Sequence, residues 1–62
     1  MTGYYVYEIT VLSNGEKYIL EADTIGQAHN RASFLGQIKV RRLYGKEARD
    51  AKLKAMLDKK TI

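Results

Sequence analysis

The side chains that could perform acid–base, nucleophilic or metal chemistry are few and scattered over the 62 residues. His29 is the only histidine, there is no cysteine, and no histidine or carboxylate lies three or four residues from His29, so a zinc site has no ligand set. Ser13 and Ser33 lack the neighbouring residues that activate a nucleophile. The scattered glycines form no phosphate-binding loop. We therefore predict a protein that is not an enzyme and holds no metal or cofactor.

The charge of the chain is unevenly distributed. The net charge is +4, yet residues 1–36 carry −2 and residues 37–62 carry +6. This asymmetry predicts an acidic partner, either nucleic acid or an acidic protein surface. The alternative is a solvated, lysine-rich helix that has no partner.

The basic residues near the end of a predicted third strand are the best candidates for binding. Arg41, Arg42 and Tyr44, with Lys46 and Arg49 beyond them, could supply phosphate contacts and one aromatic ring for stacking on a base. Tyrosine and arginine are equally the residues enriched at protein–protein hot spots. Composition does not separate the two interpretations.

A β-hairpin is predicted at the N-terminal end. Residues 4–12 are rich in aromatic and β-branched side chains, and Asn14-Gly15 is typical of a two-residue type I′ turn into a second strand over 17–22. That register places three pairs on one core face: Val11–Tyr18, Ile9–Leu20 and Tyr7–Ala22.

The same register sets Glu8 directly across from Glu21, where like charges destabilise a sheet. One carboxyl group would then have a raised pKa and could act as an acid. We favour the alternative, in which Arg41 or Lys39 of the third strand neutralises the pair. Glu8 then belongs to a charged docking patch on the uncovered face of the sheet.

A capped helix follows the hairpin and organises the core. Thr24 and Gln27 match the capping box, and Gly36 is a plausible end. Phe34 projects away from the apolar stripe, so it either packs under the C-terminal segment or is exposed. The stripe predicted to face the sheet is Ile25, Ala28, Ala32 and Leu35.

The remaining chain predicts a third strand over 37–44 and a helix over 46–59. Ile38 and Val40 should face the first helix, with Lys39, Arg41 and Leu43 on the other side. The prediction is one α+β domain over residues 1–62, with a ββαβ core over 1–45, a basic helix over 46–60, and a three-stranded antiparallel sheet of order 2-1-3.

The C-terminal helix has two apolar sides, one of alanines (Ala48, Ala51 and Ala55) and one of larger residues (Leu53, Met56 and Leu57). Pairing of the larger sides would give a homo-oligomer. No apolar stretch approaches the roughly 20 residues of a membrane span, and no signal peptide pattern is present. With no cysteine, the expected location is the cytoplasm.

A resemblance adds to these expectations. Ala22-Asp23-Thr24-Ile25, followed by Gln27, Ala28 and Ala32, resembles small phage-encoded host-takeover proteins, in particular podophage inhibitors of bacterial RNA polymerase. The likeness spans residues 18–44. It implies that arginines at the end of the last strand, here Arg41 and Arg42, help to grip the polymerase in the host cytoplasm. This chain differs in its tight hairpin before that region and its basic helix after it.

The sequence therefore predicts a non-enzymatic, phage-type inhibitor that engages an acidic surface of a larger host protein and involves no membrane. The alternative is a nucleic-acid-binding module that uses the basic third strand and the C-terminal helix. The predicted contact residues are Lys39, Arg41, Arg42, Tyr44, Lys46, Arg49, Phe34 and Glu8.

Overall fold

The computed structural model describes residues 4–62, so the first three residues of the predicted domain lie outside the described range. The elements are β1 (Tyr5–Val11), β2 (Lys17–Ala22), α1 (Ile25–Ala32), a 3-10 turn (Ser33–Leu35), β3 (Ile38–Leu43) and α2 (Gly45–Asp58). The strands form an antiparallel sheet in the order β2-β1-β3. The predicted α+β fold, its element order and its strand order are confirmed.

The hairpin loop has four residues, 12–15, so the predicted two-residue turn and its pairing are wrong. The Val11 amide donates to the Glu16 carbonyl over 2.8 Å, and the Gly15 amide donates to the Val11 carbonyl over 2.7 Å. The Asn14 side chain accepts from the Glu16 amide, and Gly15 takes a positive φ of 74°. Asn-Gly is thus used inside a longer loop, in which the asparagine side chain replaces a backbone acceptor.

The pairing is shifted by two residues from the predicted one, so Tyr7 lies across from Leu20 and Ile9 from Tyr18. A shift of two leaves every side chain on its predicted face, because strand side chains alternate with a period of two. The core face of the hairpin is therefore as predicted.

The expected opposition of Glu8 and Glu21 is wrong. Glu8 lies across from Ile19, and Glu21 lies across from Val6. The two carboxylates are separated because the longer loop moves β2 by two residues along β1. Glu8 and Glu21 therefore do not form a cross-strand carboxylate pair.

Helix α1 begins at the predicted Thr24 cap, but the reciprocal bond of the capping box goes to the amide of Asp23 instead of that of Thr24. The Gln27 amide donates to the Thr24 hydroxyl over 3.1 Å, and the Gln27 side chain accepts from the Asp23 amide over 2.9 Å. Ala28 and Ala32 are fully buried against the sheet, but Ile25 is 56% exposed, which corrects its predicted place in the stripe. Helix side chains point back toward the N-terminus, so the side chain of this first residue extends beyond the helix rather than onto the sheet.

The sheet is covered on both faces. The α1 face carries Tyr7, Ile9, Leu20 and Ala22, packed with the helix alanines. On the α2 face, Ile19 and Leu43 pack with Ala55, while Ala48 and Ala51 contact the same cluster. Helix α2 therefore covers part of the sheet face that was predicted to be uncovered. The alanine side of α2 is the side that packs against the sheet.

The chain beyond α2 returns to the sheet. Ile19 on β2 donates its amide to the Lys60 carbonyl over 2.9 Å and accepts from the Ile62 amide over 3.0 Å, which makes a short parallel bridge with Thr61. Ile62 also packs against the α1-face core. Residues 60–62 thus add to the outer edge of β2. None of the helices in the described part of the chain is long and apolar enough to cross a bilayer.

Candidate docking surface

The basic residues of β3 are divided between the two faces of the sheet. Arg41 lies across from Glu8 on the α2 face, and Arg42 lies across from Tyr7 on the α1 face. Ile38 and Val40 pack toward α1, as predicted. Consecutive strand residues point in opposite directions, so the two arginines do not form one patch.

Arg41 is engaged within the domain. Its guanidinium lies 3.1 Å from a carboxylate oxygen of Glu47 and 3.4 Å from one of Glu8. The hydrogen bond to Glu47, together with the charges of both carboxylates, raises the pKa of Arg41 above its usual value. Glu8 also contacts Lys17 over 3.7 Å. Arg41 of the third strand therefore neutralises Glu8, as predicted. Because the Arg41 guanidinium also contacts Glu47, less of its positive charge is available to a partner.

Arg42 is held between two aromatic rings instead. Its guanidinium carbon lies 3.6 Å from the centre of the Tyr5 ring and 4.6 Å from that of Tyr44. Tyr44 is 64% exposed, so one ring of this stack faces solvent. Sequence reasoning missed Tyr5. The contact between Tyr5 and Arg42 could have been found from the β1–β3 register, in which Tyr5 is the diagonal neighbour of Arg42.

The other predicted contact residues lie apart from one another. Lys39 is on β3, Lys46 and Arg49 are in the first half of α2, and all three are exposed. Phe34, on the 3-10 turn, is 72% exposed, so of the two predicted alternatives it is exposed and does not pack under the C-terminal segment. The larger apolar side of α2 is also exposed: Leu53, Met56 and Leu57.

The ion pairs use four acidic and four basic side chains, so the excess of basic residues remains outside them. All four glutamates contact a basic side chain within 4 Å, and their partners are Lys17, Arg41, Lys52 and Lys60. Seven basic side chains in the described range have no such contact, whereas only three acidic residues, all aspartates, lack one. The charge left for a partner is therefore predominantly positive. The seven are Arg31, Lys39, Arg42, Lys46, Arg49, Lys54 and Lys59.

Two open grooves lie on the α2 side of the molecule. One, of about 380 Å³, lies between the hairpin and the second half of α2 and mixes charges such as Glu16, Asp58 and Lys60. The other, of about 350 Å³, lies over the part of the sheet that α2 leaves exposed, between Lys17 and Lys39. Within residues 4–62, no cluster of His, Cys, Asp or Glu could hold a metal.

The backbone of β3 offers a further feature, which the hydrogen-bond pattern defines. Residues of an antiparallel strand turn their amide and carbonyl groups alternately to one side and to the other. The Leu12 amide donates to the Gln37 carbonyl over 3.0 Å, so Gln37 faces β1. The residues that face β1 in the same way follow at intervals of two: Lys39, Arg41 and Leu43.

The amide and carbonyl groups of Ile38, Val40 and Arg42 consequently point away from β1, along the outer side of β3. We call these three residues the open edge. Within the described range, no backbone or side-chain group bonds to their outward groups. The same alternation on β2 turns Ile19 outward, where residues 60–62 pair with it.

Compared with known protein families, curated proteins and solved structures, the chain matches none.

Proposed function

We propose that this protein is a non-enzymatic binding protein that engages an acidic surface of a larger protein and blocks that surface by occupying it. One observation carries the proposal: within residues 4–62, every glutamate contacts a basic side chain, whereas seven basic side chains have no carboxylate within 4 Å and three aspartates have no basic partner. Complementary charge speeds encounter and fixes orientation in such complexes.

In its specific form, the proposal is that of a phage-type inhibitor acting in the host cytoplasm. Arg42 supports it better than Arg41 as the gripping residue, because Arg41 already contacts Glu8 and Glu47. Lys46 and Arg49 supply further positive charge on α2 and have no carboxylate within 4 Å in the described range.

The test is a titration with polyglutamate as a defined acidic polypeptide, at low and moderate salt. We expect binding that falls as salt rises, and a loss of about tenfold or more on combined Lys46→Glu and Arg49→Glu substitution. The matched control is the combined Lys54→Glu and Lys59→Glu variant, which changes the charge equally at the other end of α2 and, within residues 4–62, also involves lysines with no carboxylate within 4 Å. Equal losses of polyglutamate affinity in the two variants would mean that binding depends only on the net charge of the protein. No binding to polyglutamate at low salt would contradict the proposal.

A nucleic-acid-binding module is the second candidate, and the Tyr5–Arg42–Tyr44 stack favours it. An exposed aromatic ring beside a guanidinium is the kind of surface on which single-stranded bases stack. Titration with single- and double-stranded oligonucleotides at two salt concentrations separates the candidates. Tight, steeply salt-dependent oligonucleotide binding without polyglutamate binding would replace the first proposal with this one.

A further inference from the structure

We infer that the open edge of β3 accepts an extended segment of a partner protein as a fourth, antiparallel strand, and that this segment alternates acidic and apolar residues. The inference rests on the proposed function, because it specifies how an acidic partner would dock. It adds a mode of binding, main-chain pairing, that a surface of scattered positive charges does not provide.

The backbone of the edge is suited to this pairing. Ile38, Val40 and Arg42 present a run of outward amide and carbonyl groups without partners in residues 4–62. Such a row of groups on a sheet edge is a template for a further strand. The three strands pair in antiparallel fashion, and an antiparallel addition to β3 continues that pattern.

The side chains of β3 define what the added strand must carry. On the α1 face, it would lie beside Ile38 and Val40, which are partly buried and apolar. One end of the added strand would also reach Arg42, whose guanidinium already contacts the Tyr5 and Tyr44 rings. On the α2 face, it would lie beside Lys39, which is exposed and has no carboxylate within 4 Å in the described range, and beside Arg41, which is exposed but already contacts Glu8 and Glu47. Neighbouring strands stabilise each other through contacts on the same face, so the matching segment is apolar toward α1 and acidic toward α2.

A second copy of this chain is a poor occupant. In antiparallel self-pairing with full overlap, Val40 lies opposite itself, so Lys39 of one copy faces Arg41 of the other. Like charges directly across a sheet are destabilising, and each dimer would hold two such pairs. The charges that block self-pairing are the ones that favour an acidic strand.

The probe is an end-capped peptide of four valine-glutamate repeats, and the readout is the backbone amide shifts of the 62-residue protein. We expect the largest shifts at Ile38, Val40 and Arg42. A block isomer with four valines followed by four glutamates has the same composition, and we expect it to bind about tenfold more weakly or worse.

Methylated peptides separate main-chain pairing from charge. In the proposed alignment, the valine amides face β3 and the glutamate amides face solvent. Methylation of the valine amides should therefore reduce the affinity at least about tenfold, because each loses a donor. Methylation of the glutamate amides, with the same mass and charge, should change it less than about twofold. Equal effects of the two methylations would overturn the inference.

A protein variant provides an independent measurement. Val40→Pro removes one outward amide, and proline is tolerated on an edge strand where that amide faces solvent. We expect peptide affinity to fall at least about tenfold while the circular dichroism spectrum stays native. Val40→Thr, which keeps the amide and the β-branch, is the control. If Val40→Pro does not fold, the methylated peptides still decide the question.

The outcomes also distinguish this inference from the proposed function. Binding of the repeat peptide and its block isomer with equal affinity, with shifts concentrated on α2, would overturn the inference and leave an acidic-surface binder. No binding of the repeat peptide together with binding of polyglutamate would do the same. Pairing of two copies through β3, detected by light scattering, would assign the edge to self-association and overturn it.

Discussion

The two edges of this small sheet are built in opposite ways. On the β2 edge, Ile19 bonds through both its amide and its carbonyl to residues 60–62, and Arg31 donates to the outward carbonyl of Glu21. On the β3 edge, no group in residues 4–62 bonds to the outward amides and carbonyls. The β2 edge is therefore closed at Ile19 and at the Glu21 carbonyl, whereas the β3 edge has no such pairing within residues 4–62 and carries basic side chains instead.

This difference indicates where the chain leaves room for a partner. A domain of about 60 residues buries a modest share of its surface, so pairing a second edge would add stability. Instead, the lysine and arginine side chains of β3 oppose further copies of the same strand. An edge that repels itself but keeps its backbone groups available is suited to a different, acidic strand.

The largest effect should come from proline substitution on the two edges. Ile19→Pro removes an amide that donates to Lys60 and a buried side chain, so we expect a loss of about 3 kcal/mol or more in the free energy of unfolding. Val40→Pro removes an amide without a partner in the described range and should cost about 1 kcal/mol. Urea denaturation measures both. Equal costs would mean that the two edges do not differ.

Charge reversal on the open edge should convert repulsion into self-association. Lys39→Glu would place a carboxylate opposite Arg41 of a second copy. Each dimer would then have two such opposite-charge pairs in place of two like-charge pairs. We expect this variant to form a β3-paired dimer at concentrations where the parent chain does not, as measured by sedimentation equilibrium. Lys54→Glu has the same net charge and lies on α2. A dimer in both variants would instead point to the exposed Leu53, Met56 and Leu57.

A smaller effect is expected at Arg31, which closes part of the β2 edge. Arg31→Leu keeps an apolar stem but removes the donor to the Glu21 carbonyl. The expected cost is about 0.5–1.5 kcal/mol in urea denaturation. Arg49→Leu is a control on an exposed basic residue with no carboxylate within 4 Å. If Arg49→Leu lowers the free energy of unfolding as much as Arg31→Leu does, the bond from Arg31 to the Glu21 carbonyl does not stabilise the edge.

The smallest effect concerns Lys60, whose hydrogen bond and ion pair with Glu16 raise its pKa above 10.5. A raised folded pKa means that the stabilisation is fully present below the unfolded pKa and is lost as pH rises through the folded pKa. The difference in Tm between the parent and Lys60→Met should therefore shrink from about pH 9 to about pH 12. A constant difference over that range would show that the charge of Lys60 does not help to hold the closed edge.

The faces of the sheet could be predicted because side-chain alternation depends only on odd and even positions. The pairing could not, because Asn14 and Gly15 also fit a four-residue loop, and nothing in the strands resists a shift of two. The packing side of α2 was visible in its alanines, Ala48, Ala51 and Ala55. Its placement over the sheet depends on long-range packing that the local pattern does not contain.

The candidate site was only partly predictable. Exposure of Lys39, Lys46 and Arg49 follows from their charge, but the division between Arg41 and Arg42 depends on which partners the register brings near. The closure of the β2 edge gave no local signal, because residues 60–62 are too few to show a strand pattern. The contrast between the edges becomes visible only when the backbone hydrogen bonds are followed residue by residue.

Amide hydrogen exchange of the free protein tests the difference between the edges most directly. Ile19 should be protected about a thousandfold or more, because its exchange requires release of residues 60–62 or unfolding of the domain. Val40, in the same sheet and with the same β-branched side chain class, should exchange at nearly the rate of an unstructured peptide. Lys39 and Arg41, whose amides face β1, are internal controls and should be protected. Protection of Val40 equal to that of Ile19 would show that the β3 edge is already occupied and would contradict the account.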